Sequence, residues 1–237
     1  MQIAIVLYPG LTALDALGPY EVLRFIPGCD LRFVSHRPGP VVADSGVLVT
    51  GATHSFEETP SPDIVLVPGS QANTPSAMAD GKLLKWLQNA HKTSQYTTSV
   101  CSGALILGAA EILRGHPATT HWFAQKHLTS FGAQPRPHDR VVTSGKIMTA
   151  AGVSAGIDLA LALVDKHCGR QWAETVQLII EYDPQPPFDS GHMSKATEEV
   201  RKLAQREMAK RSGNIRNLAA VPKILWQRAL NKARSKK

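Results

Sequence analysis

Unbroken apolar runs of strand length alternate with amphipathic stretches along most of this chain. Residues 2–8 (QIAIVLY), 31–36 (LRFVSH), 63–67 (DIVLV) and 96–100 (YTTSV) form the first set, and most are closed by proline, glycine or small residues. Runs without polar alternation are expected of parallel strands buried on both faces. Between them, residues 14–25 place Leu14, Leu17, Val22 and Phe25 on one helical side, with Pro19 near the first turn. Residues 75–92, carrying Met78, Leu83, Leu84, Trp86 and Leu87, read as one amphipathic helix. Residues 154–167 read as a core helix, with Gly152 and Gly156 at its start, and 170–182 as another that the prolines of 184–187 stop. Ser45-Gly46 and Ser144-Gly145 each sit between apolar pairs, predicting small hairpins over 41–50 and 140–148. Residues 118–122 (ATTHW) predict a short strand followed by a helix to Phe131. Strands alternating with helices indicate an α/β fold, a mostly parallel sheet with helices on both faces. We therefore expect one α/β domain over 1–190 and a basic helical C-terminal extension over 191–237, packed on the domain or on a partner subunit.

The charge supports that division. The formal net charge of +7 is unevenly placed: from Ser194 onward there are 13 Lys and Arg against 3 Asp and Glu, whereas the preceding residues hold 13 basic and 16 acidic groups. The body is mildly acidic and the tail strongly basic. In the tail, Ile224, Leu225, Trp226, Leu230 and Ala233 alternate with Lys and Arg as an amphipathic basic helix. Contact with nucleic acid or an anionic membrane is one reading. We favour packing on the body or a partner subunit, because the apolar stripe offers an anchor and the body is acidic. Three widely spaced cysteines, Cys29, Cys101 and Cys168, suit neither a disulfide framework nor a CxxC metal site, and an odd count fits a reducing compartment. The N-terminus lacks a basic leader segment, and the longest apolar runs fall short of the ~20 residues of a membrane span, so a cytoplasmic protein is expected.

Chemistry concentrates where the 96–100 strand stops at Cys101 and a small-residue turn, Ser102-Gly103-Ala104, opens an apolar helix. Strand, reactive side chain, small residues and helix describe a nucleophile elbow. The helix N-terminus is expected to favour a thiolate at Cys101. Cys29, in a Pro-Gly turn, and Cys168, at a helix end, read as structural cysteines. Asp15 lies in the loop after the first strand, where open α/β sheets gather ligands. It is either a helix N-cap or a carboxyl beside the thiol, and in the second case the two titrate as a coupled pair. Gly69, after the 63–67 strand, is either an ordinary turn or a backbone donor that pairs with the Ser102 N–H around an anion. Ser102 caps the helix or holds water or substrate with its hydroxyl. His121 is a minor candidate for the base of a Cys/His pair and reads first as structural. The chain has no CxxC, HExxH, GxGxxG or P-loop, and no metal, nucleotide or redox cofactor is expected.

Six segments in this order, LYPGLTALDALGPYEVL, VLVPGS, TTSVCSGALILGAAEIL, ATTHW, AGVSAGIDLALALV and EYDPQPPFDSG, resemble the ThiJ/PfpI superfamily, and within it the isonitrile (isocyanide) hydratases. The first and fourth segments also resemble the sensor domains of AraC-type regulators, which continue into a helix-turn-helix region that this chain is expected to be too short to hold. The resemblance implies a flavodoxin-like three-layer sandwich, a homodimer, and no cofactor. It implies Cys101 as nucleophile and Asp15 as its paired carboxyl. Ser102 stands where isonitrile hydratases tend to have Thr and PfpI-type proteases have His, and Ser70 replaces the second glycine of the usual PGG. The implied reaction is addition of water to an isonitrile through a thioimidate on Cys101, giving an N-substituted formamide. The alternatives are another thiol enzyme of the superfamily, glyoxalase-like or hydrolytic, and a non-catalytic ligand or oxidation sensor.

Overall fold

The computed structural model describes residues 1–212, together with Pro222 and Ile224. Its strands are β1 (Gln2–Val6), β2 (Asp30–Ser35), β3 (Gly39–Val42), β4 (Val49–Ala52), β5 (His54–Ser55), β6 (Ile64–Val67), β7 (Tyr96–Ser99), β8 (Pro117–Ala118), β9 (Gln134–Pro135), β10 (Val141–Ser144) and β11 (Ile147–Ala150). Seven of them form the central sheet in the order β10-β11-β7-β6-β1-β2-β5. All neighbours run parallel except β10 and β11, which form the predicted hairpin around Gly145. The other predicted hairpin is present as β3 and β4, paired antiparallel outside the main sheet. Every side chain of β6 is buried, and in β1 Ile3, Ala4, Ile5 and Val6 are fully buried, as a strand covered on both faces requires.

Helices α1 (Ala13–Leu23), α5 (Ala155–Cys168) and α6 (Arg170–Ile179) pack together on one side. Helices α2 (Thr74–Met78), α3 (Gly81–Thr93) and α4 (Gly103–Ala109) form the other layer. The result is the three-layer, mostly parallel, flavodoxin-like sandwich. From β1 the chain first adds β2 on one side, then returns to add β6, β7 and β11 on the other, so strand order reverses between β1 and β6. Loops leaving the carboxyl ends of strands at such a reversal diverge and leave a crevice. Asp15, Gly69 and Cys101 all follow strands at this point: β1, β6 and β7.

One expectation needs correction. Residues 75–92 are not one helix but α2 and α3, separated at Ala79-Asp80. The Asp80 carboxylate accepts from the N–H groups of Lys82 and Leu83, both at 3.1 Å, so an N-cap interrupts the apolar stripe. The helix expected to reach Phe131 is present at Gln125–Phe131, wound as a 3-10 helix. There Ser130 Oγ donates to the His127 carbonyl (2.6 Å) and Thr129 Oγ1 to that of Lys126 (3.4 Å), competing with the α-helical ladder.

Helix α7 (Glu198–Ser212) occupies the basic extension, with Glu198 and Glu199 in its first turn and Lys210 and Arg211 in its last, matching the helix dipole. Of the apolar stripe assigned to the tail, Ile224 is half-buried against the core, while Leu225, Trp226, Leu230 and Ala233 lie outside the described residues. Among the described residues no helix is long and apolar enough to cross a membrane.

Candidate active site

Cys101 turns the chain from β7 into α4 with φ +58°, a conformation that a non-glycine residue rarely adopts. Its backbone is held on both sides. The Cys101 N–H donates to the Ala151 carbonyl (2.8 Å), and the Thr120 hydroxyl donates to the Cys101 carbonyl (2.6 Å). A Cβ on Gly103 would run into the Val67 carbonyl, so the small residue after the elbow is what lets α4 start against β6. Backbone strain kept in place by surrounding bonds is a mark of functional positions.

Asp15 sits in the first turn of α1 but does not cap it. It is fully buried, its Oδ2 accepts from the Gly69 N–H (2.8 Å), and its carboxyl interacts with the Cys101 thiol. Its Oδ1 is buried without a hydrogen-bond partner among the described residues. Burial pushes the Asp15 carboxyl up to about 7, against the opposing pull of the Gly69 N–H and the Cys101 thiol. Cys101 is also buried, and its thiol is pushed well above its ordinary value, first by burial and then by the negative Asp15. The Ser102 N–H, which faces the sulfur, opposes this without overcoming it. The expected thiolate is therefore corrected: loss of hydration outweighs the N-terminus of the short α4 helix.

The predicted anion-binding pair of Gly69 and Ser102 N–H groups is corrected as well. The Gly69 N–H is already engaged by Asp15 Oδ2, and the Ser102 N–H acts on the Cys101 sulfur. Between them they stabilise a negative charge wherever it rests in the pair. Gly69 is confined for the same reason, since a Cβ there would lie 2.5 Å from Ser102 N and 3.0 Å from Asp15 Oδ2. Gly69→Ala is expected to cost about 1–3 kcal/mol of stability in a urea titration. Its activity is expected to fall further than the stability loss explains, because the colliding atoms belong to the reactive pair.

The Ser102 hydroxyl makes no cap bond. It donates to the Ser70 carbonyl (3.0 Å), accepts from the Ser70 N–H (2.9 Å), and lies 2.7 Å from Thr74 Oγ1, tying the elbow to the loop after β6. Ser70 in turn donates to the Gly10 carbonyl (2.5 Å) and accepts from the Asn73 N–H (2.8 Å). Its hydroxyl thus joins the loops after β1 and β6, a role no glycine side chain can fill. His121 is held neutral, burial lowering its pKa to about 4, and its Nδ1 accepts weakly from the Phe123 N–H (3.4 Å). Sequence reasoning missed Thr120, although the ATTHW segment was noted, and Tyr8, buried beside the pair with its hydroxyl donating to the Pro68 carbonyl (3.0 Å). Cys29 and Cys168 are half-buried free thiols, both raised by burial.

Cys101 opens on a cavity of about 180 Å³ whose lining is mostly apolar. Ser70, Thr74 and Ser102 are among its polar lining residues, and Leu105, Phe123, Val153 and Met208 among its apolar ones. A second cavity of about 550 Å³, bounded by Trp122, Arg140 and part of the 186–195 segment, shares His121 and Val153 with the first. Among the described residues no three His, Cys, Asp or Glu side chains come together as a metal ion would require.

The model of the DJ-1/PfpI family matches residues 1–166. The isonitrile hydratase of Pseudomonas putida is 39% identical over 88% of this chain and 90% of that protein. The crystal structure of a ThiJ/PfpI family protein from Pseudomonas syringae superimposes with a TM-score of 0.86 at 36% identity, covering 92% of this chain and 89% of that one. The HTH-type transcriptional regulator CdhR of Pseudomonas aeruginosa is 27% identical over 72% of this chain, which matches 52% of the regulator's length.

Proposed function

The chain belongs to the DJ-1/PfpI family, and from that premise we propose that it is a cofactor-independent isonitrile hydratase whose nucleophile is Cys101. The observation that carries this reading is the buried Cys101–Asp15 pair, with Cys101 lining a small, mostly apolar cavity. An isonitrile, R–N≡C, is uncharged, offers an apolar substituent to the walls, and reacts at a terminal carbon that needs a nucleophile and a proton at one place.

Asp15 takes the thiol proton as the sulfur bonds to the isonitrile carbon, then returns that proton to the same carbon, leaving a thioimidate, R–N=CH–S–Cys101. Water adds to this carbon, giving up one proton to the nitrogen as the tetrahedral adduct forms. The adduct collapses with cleavage of the C–S bond, releasing R–NH–CHO and the free thiol. The sum is isonitrile plus water to formamide, with no net proton change. The N–H groups facing Asp15 and Cys101 stabilise the charge as it shifts between them.

In the same reading the protein works in the cytoplasm as a homodimer. Purified protein incubated with alkyl and aryl isonitriles is expected to release the matching formamides over many turnovers, quantified by chromatography. Absence of formamide across the panel sinks the proposal.

A further inference from the structure

The apolar walls of the reactive cavity come from two sources. Leu105 belongs to α4 and Val153 precedes α5, both within the sandwich. Met208 comes from α7, which lies beyond the residues 1–166 that define the family match. Helix α7 reaches the same rim a second time, where Arg211 donates to Gln71 Oε1 (3.2 Å), and Gln71 also lines the cavity. The helix thus meets the loop after β6 beside the elbow.

We infer that Met208 is a specificity-determining residue that sets the size of the substituent admitted to Cys101. This rests on the proposed function for the identity of the substrate, while the geometry holds for any reagent that must reach the thiol. An apolar cavity of about 150 Å³ accepts a benzene ring. At about 180 Å³ this cavity accommodates one six-membered ring with its isonitrile carbon at the sulfur. A fused bicyclic substituent exceeds this volume and extends along walls that include Met208. Leu105 is buried in the core and Val153 packs against it, whereas Met208 is an unbranched side chain on the appended helix. Pocket walls of this kind separate substrates differing by a methylene by about 10- to 200-fold.

The test compares Met208→Ala and Met208→Trp with wild type in two arms. In the first, Cys101 is alkylated with iodoacetamide and with an N-naphthyl iodoacetamide, and the rate at the Cys101 peptide is followed by mass spectrometry. The naphthyl-to-small rate ratio is expected to rise at least about tenfold in Met208→Ala and to fall in Met208→Trp. In the second arm, kcat/KM is measured for methyl and naphthyl isonitriles, with the same directions expected. Alkylation ratios within twofold of wild type in both variants overturn the inference. If wild type converts neither isonitrile, the proposed function falls while the alkylation arm still judges Met208. Because the side chain is half-buried on α7 and outside the packed core, both variants are expected to fold.

Discussion

Cys101→Ala is expected to reduce isonitrile hydration to less than about one thousandth of the wild-type rate while leaving the fold intact. In the proposed reaction the sulfur bonds to the isonitrile carbon, so its removal deletes the intermediate. Neutral Asp15 and the flanking N–H groups can still bind substrate, but an apolar cavity gives water no comparable activation. The structural cost is small, because the elbow is held through backbone groups, the Ala151 carbonyl on Cys101 N and Thr120 Oγ1 on its carbonyl, and these bonds persist in the variant. Loss of turnover with an unchanged urea midpoint, and absence of the thioimidate mass adduct seen by rapid quench of wild type, is the expected pair of results. A variant retaining a tenth of the wild-type rate refutes Cys101 as nucleophile.

The sheet was the most legible part of the chain. Buried parallel strands need apolar residues on both faces, so 63–67 and 2–8 announced themselves by composition and length, and Ser-Gly pairs marked both hairpins. Breaks governed by one side chain were less legible. Asp80 interrupts an apolar stripe whose spacing alone argues for continuity, and only its hydrogen bonds to Lys82 and Leu83 reveal the cap. Two-residue strands such as β5 and β8 have no periodicity to detect.

The site was legible as a set of residues and illegible as a set of energies. Open α/β sheets gather ligands at the carboxyl ends of strands, which makes Asp15, Gly69 and Cys101 candidates for one site, although Asp15 also reads as an N-cap and Gly69 as a turn. The direction of the Cys101 shift was not deducible, because it depends on how much water the fold removes, and burial wins over a helix N-terminus when the thiol is almost fully enclosed. The aim of the Gly69 N–H depends on a rotation of one peptide plane. Met208 lies more than a hundred residues from the elbow, and no pattern in the sequence joins them.

Asp15→Asn is expected to cut kcat/KM by about 10²- to 10⁴-fold and to change the pH dependence of both rate and stability. In wild type the reactive form of the pair carries a single proton, on sulfur with Asp15 ionised or on Asp15 with sulfur ionised. With two protons the thiol is a poor nucleophile and Asp15 cannot accept its proton. Since burial places the Asp15 carboxyl at about 7, wild-type kcat/KM is expected to rise as pH passes through about 7 and to hold until the raised thiol loses the last proton. Stability runs the other way. The folded chain keeps a proton on Asp15 that the unfolded chain releases near its ordinary value of 3.8, so the native state binds the extra proton between these limits. The stabilisation is complete below about 4 and is lost as pH rises through about 7, on the order of a few kcal/mol for a fully buried carboxyl. Asparagine keeps an oxygen for the Gly69 N–H and has no proton to lose. The stability of Asp15→Asn relative to wild type is therefore expected to climb from pH 4 to pH 8, measured by urea denaturation at each pH, while its residual activity shows no inflection near 7. A stability difference independent of pH would mean that Asp15 ionises as an ordinary carboxylate, and the pair would lose its proton carrier. The ionisation that makes wild type reactive is the one that weakens its fold, since among the described residues Asp15 Oδ1 has no hydrogen-bond partner to offset the buried charge.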